Sequence, residues 1–173
     1  MKLLTAALFS LGLSACAATG VEHYQAEQPA LDLQTYLNGT LDAWGMFQGR
    51  SGEVKKRFRV VIDARWDGDT GVLDERFTWS DGTTSTRIWT LKRQPDGSFR
   101  GRADDVIGEA VGEVAGNALR WRYVLALPVD DKIYHVDFDD WMFLMDDKVM
   151  LNRSFMSKWG FRLGEVTLTF VKR

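Results

Sequence analysis

From Thr40 onward, short turn pairs interrupt stretches of alternating apolar and polar residues at regular intervals, and this pattern limits the fold more than any other feature. The turns are Ser51-Gly52, Gly68 to Gly71, Asp81-Gly82, Asp96-Gly97, Gly116-Asn117, Asp130-Asp131 and Asp146-Asp147. Such pairs between alternating segments are typical of β-hairpins. We therefore predict an all-β fold, an antiparallel up-and-down meander of nine or ten strands. The meander is expected to close into a barrel, because closure leaves no strand edge unpaired.

One short helix precedes the predicted strands. Pro29 opens it, Leu33, Tyr36 and Leu37 fall at helical spacing, and Gly39 ends it. The segment before Pro29 is small and polar without periodicity, so residues 16–28 are predicted to form a tether. Residues 29–173 are then one β-barrel domain, of a size that a single hydrophobic core can stabilise.

Three of the turns also predict the register of their hairpins. If each is a two-residue loop, the cross-strand pairs are Trp121 with Gly112, Tyr123 with Ala110, Leu125 with Gly108, Leu125 with Val136, Tyr123 with Phe138, Trp121 with Asp140, Arg122 with Asp139, Leu144 with Val149, Met142 with Leu151, Asp140 with Arg153 and Phe138 with Phe155. Large rings then face small residues. The three turns agree on one apolar face, which only Asp140 and Arg153 interrupt.

The opposite face of these strands is predicted to be mostly polar. It also carries an apolar patch of Trp141, Phe143 and Met150. We expect the short helix near residues 30–37 to cover this patch, because exposed apolar surface usually has a partner.

The first residues have the three parts of a secretory signal: a charged start at Lys2, an apolar stretch from Leu3 to Leu13, and small residues before Cys16. A cysteine at the first mature position is the acceptor for a lipid anchor. We therefore predict a signal peptide over residues 1–15 and lipidation of Cys16, which attaches the chain to a membrane. The apolar stretch is too short to span a bilayer.

Composition narrows the function further. The formal net charge is −2 at pH 7 with both signs interleaved, so no nucleic-acid partner is predicted. Cys16 is the one cysteine, so the domain has no disulfide. The aromatic content of 12% and the seven tryptophans indicate a core or cavity built from large rings. His23 and His135 have no partners at metal-ligand spacing, and no nucleophile or phosphate-loop motif occurs, so neither a metal nor a cofactor is predicted.

Several short motifs resemble a family of uncharacterised bacterial lipoproteins. They are Asp81-Gly82 with Arg87 and Trp89, Asp104-Asp105-Val106 with Gly108-Glu109-Ala110 and Gly112, Asp139-Asp140-Trp141-Met142, Leu144-Met145-Asp146, and Asn152-Arg153-Ser154. The resemblance implies no established activity. Since Ala17 follows the cysteine, the resemblance implies a location at the periplasmic face of the outer membrane.

The architecture is similar to that of the calycins, which include the lipocalins. In that group a tryptophan on the first strand lies at the barrel base, and Trp44, with Arg59 or a C-terminal basic residue stacked on its ring, is the candidate here.

The acidic pairs Asp104-Asp105 and Asp139-Asp140 cannot act as catalytic dyads on a regular strand, because neighbouring side chains point to opposite faces. Only one residue of each pair can face the cavity, and the predicted register selects Asp140. It remains a weak catalytic candidate, and a structural ion pair with Arg153 is the other interpretation. The predicted ligand-binding residues are Trp121, Tyr123, Phe138, Asp140 and Arg153.

Three functions remain open on this basis. The first is a binding module whose barrel holds a fatty acid, a phospholipid or another apolar ligand, with Arg153 meeting an anionic head group. The second is a structural lipoprotein with a filled barrel that presents an apolar patch to an envelope protein. The third is a lipid-modifying enzyme that uses Asp140. An open lumen of several hundred Å3 favours the first and third functions, and a filled interior favours the second.

Overall fold

Ten antiparallel strands follow one another around a closed barrel in the computed structural model, which describes residues 19–173. The strands are β1 (Gly39–Gly49), β2 (Val54–Asp67), β3 (Thr70–Trp79), β4 (Thr84–Arg93), β5 (Phe99–Arg102), β6 (Val106–Ala115), β7 (Ala118–Val129), β8 (Lys132–Leu144), β9 (Val149–Lys158) and β10 (Phe161–Lys172). The predicted all-β up-and-down barrel is thus confirmed. The predicted signal peptide and the lipidation site at Cys16 lie outside the described residues.

Pairing of the first and last strands closes the barrel. β1 and β10 are in continuous register from Leu41 opposite Lys172 to Gly49 opposite Gly164. On the outer surface of this seam, Asp42 accepts hydrogen bonds from Arg59 at 2.8 Å and from Arg173 at 2.8 and 2.9 Å. Hydrogen bonds from these two guanidinium groups hold the pKa of Asp42 well below its usual range. The carboxylate therefore links the C-terminal residue to β1 and β2.

Two of the three predicted registers agree with the structure over most of their length. β7 and β8 pair as expected, with Trp121 opposite Asp140 and Tyr123 opposite Phe138. β6 and β7 place Trp121 opposite Gly112 as expected, but the register shifts between Ile107 and Val111. As a result Leu125 lies opposite Val106. The predicted pair of Leu125 with Gly108 is wrong because of this irregularity in β6, and Tyr123 and Ala110 lie within the shift itself.

The predicted register of β8 and β9 is wrong by one residue. Leu144 lies opposite Met150, and Asp140 lies opposite Ser154. The turn is wider than a two-residue loop because the Asp146 carboxylate accepts hydrogen bonds from the backbone N–H groups of Lys148, at 2.8 Å, and Val149, at 2.7 Å. A shift of one residue exchanges the two faces of a strand. The residues of β9 predicted to face inward, Val149, Leu151, Arg153 and Phe155, therefore point outward, and Met150, Asn152, Ser154 and Met156 point inward.

The segment before β1 packs across the closed end of the barrel. A single turn of 3-10 helix, Val21–Tyr24, lies against β6 and β7. The Tyr24 ring meets the rings of Trp141 and Phe143 edge-on, with centroids 5.8 and 5.0 Å apart. This turn, and not the helix near residues 30–37, covers the predicted exterior patch. Met150 does not belong to the patch, since it is buried inside the barrel.

The predicted short helix is one turn, α1 (Leu33–Tyr36), and it closes one end of the barrel. Asp32 caps it by accepting a hydrogen bond from the Thr35 N–H at 3.0 Å. Leu33 and Tyr36 are buried, and the Tyr36 hydroxyl donates to the Lys148 carbonyl at 3.0 Å. No helix in the described part of the chain is long and apolar enough to cross a membrane.

The tryptophan at the barrel base is not Trp44. Trp44 is exposed on the outer wall, with the Arg59 guanidinium 5.7 Å from the centroid of its ring. Trp66 lies beside α1 instead, and its Nε1–H donates to the Leu37 carbonyl at 2.7 Å. The prediction that Trp44 occupies the base is therefore wrong, although its predicted stacking with Arg59 is present.

Candidate ligand-binding lumen

The barrel encloses an open lumen of about 710 Å3. Leu33 and Leu37 of the α1 segment line its closed end. At the opposite end the lining residues Lys56, Ser85 and Pro128 are reached by solvent, so this end is the mouth. The wall between them is mostly aliphatic and aromatic, and the volume is in the range of small-molecule sites.

Large rings lie over glycines along this wall. Trp121 covers Gly101 and Gly112, and a methyl group added to either glycine would overlap the indole. Further along the wall, the Tyr123 and Phe138 rings stack with centroids 4.9 Å apart, and Trp89 meets Tyr123 edge-on at 5.5 Å. Trp121 thus lies over two positions without side chains, and Tyr123, Phe138 and Trp89 form one contiguous aromatic surface along the wall of the open lumen.

Four of the five residues predicted to bind a ligand line this lumen: Trp121, Tyr123, Phe138 and Asp140. Arg153 does not. Its side chain is 58% exposed on the outer surface and donates to Glu165 at 2.9 and 3.0 Å. The one-residue shift of β9 separates it from Asp140, so the predicted inward pair of these two residues is wrong.

A cluster of polar side chains interrupts the apolar wall midway to the mouth. Asp140 is only 7% exposed and accepts a hydrogen bond from the Ser154 hydroxyl. Arg87 donates two hydrogen bonds to one oxygen of Asp105, at 2.7 and 3.0 Å. The other Asp105 oxygen is buried without a partner among the described residues. Glu75, opposite Arg87 on β3, completes the cluster of lumen-lining ionisable groups.

Burial controls the protonation of these groups. It raises the pKa of Glu75 to about 7 and that of Asp140 to about 7, in the latter case against the opposing effect of the Ser154 hydrogen bond. Burial also raises the pKa of the Tyr123 hydroxyl well above 10.0. For Arg87, burial acts against the charge, but the neighbouring carboxyl groups of Glu75 and Asp105 outweigh it and raise the pKa. Near neutral pH the lumen thus contains two carboxyl groups that are partly protonated, beside the Arg87–Asp105 ion pair.

This arrangement can bind a polar group in an otherwise apolar space. A carboxyl group donates a hydrogen bond when protonated and accepts when ionised, so Glu75 and Asp140 can pair with a hydroxyl, an amide or an ammonium group. The Arg87 charge is already neutralised by Asp105, which leaves no free cation in the cluster for an anionic head group. Within residues 19–173 no set of three or more histidine, cysteine or acidic side chains is placed to hold a metal ion.

Three residues of the cluster, Glu75, Arg87 and Asp105, were not among the predicted site residues, and neither was Ser154. Arg87 alternates with Trp89 and Leu91 on one face of β4, and a register for that strand would have placed it inside. Asp105 belongs to one of the two acidic pairs noted in the sequence. Glu75 lies between Asp74 and Arg76 in a charged run, which carries no signal that one member is enclosed.

The fold and the site define a class of protein: a closed up-and-down β-barrel with an apolar lumen that is open at one end and carries a partly buried acidic cluster. The chain belongs to the DUF3833 family of proteins of unknown function, whose family model matches residues 10–172. This confirms the resemblance to an uncharacterised family over nearly the whole chain. No curated protein matches the chain.

Proposed function

We propose that the protein binds an elongated apolar, lipid-like ligand in the barrel lumen. The observation that supports this most is the open cavity of about 710 Å3, lined by aromatic and aliphatic side chains. A barrel with a purely structural role would gain stability from filling this space, since an unfilled apolar cavity lacks packing contacts. The filled-barrel alternative is accordingly less well supported.

The acidic cluster favours a particular head group. Glu75 and Asp140 offer carboxyl groups, and the partly buried cation beside them, Arg87, is paired with Asp105. A carboxylate or phosphate placed there would be repelled by ionised carboxyl groups. The proposed ligand therefore has a hydroxyl, amide or ammonium group, and not the anionic head group expected from an inward Arg153.

Ligand content can be tested by native mass spectrometry of the full chain purified from bacteria. We expect a co-purifying lipid-sized mass that is absent from Val166→Trp, because Val166 lines the lumen and a larger ring there fills it. The matched control is Thr167→Trp, one residue along β10, whose side chain points outward in the alternating strand. Loss of the ligand in both variants, or in neither, would contradict binding in the lumen.

Head-group preference can be tested by displacement of a fluorescent apolar reporter. The competitors are an alkyl amine, an alkyl alcohol and a carboxylic acid of equal chain length. We expect the acid to compete about tenfold less well than the other two at neutral pH, because a second anion beside a buried carboxylate is unfavourable. An acid that competes best would refute the proposed head group, while leaving the apolar lumen as the binding site.

We also propose that the protein is a lipoprotein held at the periplasmic face of the outer membrane through lipid on Cys16. The support is the signal-like composition of residues 1–15 and the position of the one cysteine.

An enzymatic role for Asp140 is a second candidate, favoured by a pKa of about 7, which suits a general acid or base. Turnover of lipid substrates that is lost in Asp140→Asn, with ligand binding retained, would support that role.

A further inference from the structure

Exposed apolar side chains are concentrated on neighbouring hairpin tips at the mouth. Trp159 is 84% exposed, and Ile133 and Phe161 are each 69% exposed. These three residues belong to the β7–β8 and β9–β10 tips, where Val129, Tyr134 and Leu163 are exposed as well. The adjacent β1–β2 tip adds Val54. The other large exposed apolar residues of the described surface, Trp44, Ile88, Ile107, Leu151 and Met145, are spread over β1, β4, β6, β9 and the β8–β9 turn.

The backbone conformation at Trp159 is unfavourable for a bulky residue, so the stability of the turn does not explain why a tryptophan occupies this position. Trp159 has φ 51° and Gly160 has φ 79°, so both central positions of the β9–β10 turn are left-handed. Asn, Asp and Gly are favoured at the first of these positions, and a bulky residue there is strained. The corresponding position of the β7–β8 tip holds Asp130, with φ 52°. A strained residue that exposes a large ring is a reason to consider a binding role.

Basic residues accompany the apolar ones. Of the basic residues on the three tips, Lys55 pairs with Glu53, Lys56 with Asp81 and Arg162 with Glu165. Arg50, Arg57, Lys132 and Lys158 have no ion-pair partner among the described residues and outnumber the unpaired acids of the tips, Asp130 and Asp131. Lys158 also joins two of the tips. Its ammonium group lies 4.8 Å from the centroid of the Trp159 ring and 5.8 Å from that of Tyr134, and it donates to the His135 carbonyl at 2.9 Å. The aromatic residues of the two tips are therefore held beside each other.

We propose that these three tips dock onto an anionic lipid surface and bring the mouth of the barrel against it. Aromatic rings beside lysine and arginine are the composition that settles at a membrane–water interface. The apolar groups stand on separate projecting tips, which suits insertion between lipids. The apolar wall also continues inward from the tips through Leu127 and Phe47 to the lumen. Docking itself needs no bound ligand, and only the delivery of a ligand through the mouth rests on the proposed function.

The test uses the full chain with Cys16→Ser, so that no acyl chain contributes and no native cysteine remains. A fluorophore is attached at Asp131→Cys on a docking tip or, as the matched control, at Met145→Cys, which is exposed at the closed end. Vesicles of phosphatidylethanolamine and phosphatidylglycerol contain brominated lipid as the quencher. We expect at least about twofold stronger quenching at position 131 than at position 145, because only the tips reach the acyl chains.

Substitution of the tips separates docking from other attachment. The variant Ile133→Ser/Trp159→Ser/Phe161→Ser should abolish the difference in quenching between the two labels. The matched variant Trp44→Ser/Ile88→Ser/Leu151→Ser, which removes exposed apolar groups from the barrel wall, should retain it. Equal quenching at both labels, or a difference that survives in the tip variant, overturns the proposal. Co-purifying ligand is measured in parallel, so failure of docking and failure of ligand binding are distinguishable.

Discussion

Replacing Asp140 with asparagine should change how the stability of the barrel depends on pH. The carboxyl group is buried in the lumen, and burial raises its pKa from 3.8 to about 7. Below about pH 4, the folded and unfolded chains both hold the proton. Between about pH 4 and pH 7 the unfolded chain releases it and the folded chain keeps it, so the free energy of unfolding falls as pH rises. This contribution is fully present at low pH and is lost above the folded pKa.

The size of the effect follows from the difference between the two pKa values. A change from 3.8 to about 7 corresponds to about 4 kcal/mol, which is an upper value because water in the lumen lessens the cost of the charge. Asp140→Asn has no proton to release at this position. Between about pH 4 and pH 8 its free energy of unfolding should therefore fall less than that of the natural chain, by up to about 4 kcal/mol.

Urea unfolding followed by far-ultraviolet circular dichroism at a series of pH values measures this difference. Asp137→Asn is the matched control, because Asp137 is on the same strand and is exposed on the outer face. The control should run parallel to the natural chain, whereas Asp140→Asn should cross it and become the more stable protein at high pH. If the Asp140→Asn curve also ran parallel, the carboxyl group would not be desolvated and the description of the lumen would be wrong.

Three further predictions concern the cluster, the wall and the anchor. Arg87→Ala should lower the free energy of unfolding by about 2 to 3 kcal/mol in urea titrations, because it leaves a partly buried carboxylate without its partner. Arg153→Ala, at an exposed position, should change it by less than about 1 kcal/mol. A larger loss in Arg153→Ala than in Arg87→Ala would favour the predicted inward position of Arg153. Gly112→Ala should lower the midpoint of thermal unfolding, at a cost of about 1 to 3 kcal/mol, because the new methyl group overlaps the Trp121 ring, and an unchanged midpoint would show that the ring can move aside. Cys16→Ser should abolish metabolic labelling with fatty acid, and labelling that persists would exclude this residue as the anchor.

The strands whose turns are tight were predictable from the sequence. Gly116-Asn117 and Asp130-Asp131 each close a two-residue hairpin, so counting outward from them places Trp121, Tyr123 and Phe138 inside the barrel, as observed. In these strands the apolar and polar residues also alternate cleanly. Turn geometry and burial then select the same register, and two independent constraints leave little freedom.

The register of β9 was not predictable in the same way. Its sequence is apolar on both faces, with Met150 and Met156 on one side and Leu151 and Phe155 on the other, so alternation does not distinguish them. The choice depends on one side chain, since the Asp146 carboxylate accepts hydrogen bonds from the backbone N–H groups of Lys148 and Val149 and widens the turn by a residue. Because of this shift, the residue opposite Asp140 is Ser154 and not the predicted Arg153.

The acidic cluster could not be predicted from the sequence for a different reason. Glu75 and Arg87 come from β3 and β4, and Asp105 comes from the loop before β6. The predicted registers cover only β6 to β9, so they do not bring the three charges together. The packing of Tyr24 on the barrel could not be predicted from the sequence either, because residues 17–28 have no periodicity from which a packed face could be inferred.

The continuous pairing of all ten strands has a kinetic consequence for any molecule held in the lumen. A molecule leaving through the wall would have to break a ladder of backbone hydrogen bonds, which requires much of the energy of unfolding. Release through the mouth needs only the displacement of side chains around residues such as Lys56 and Pro128. Residence time in the lumen should therefore vary with substitutions at the mouth and should not follow the global stability of the barrel. The protein can thus be very stable and still exchange its contents quickly.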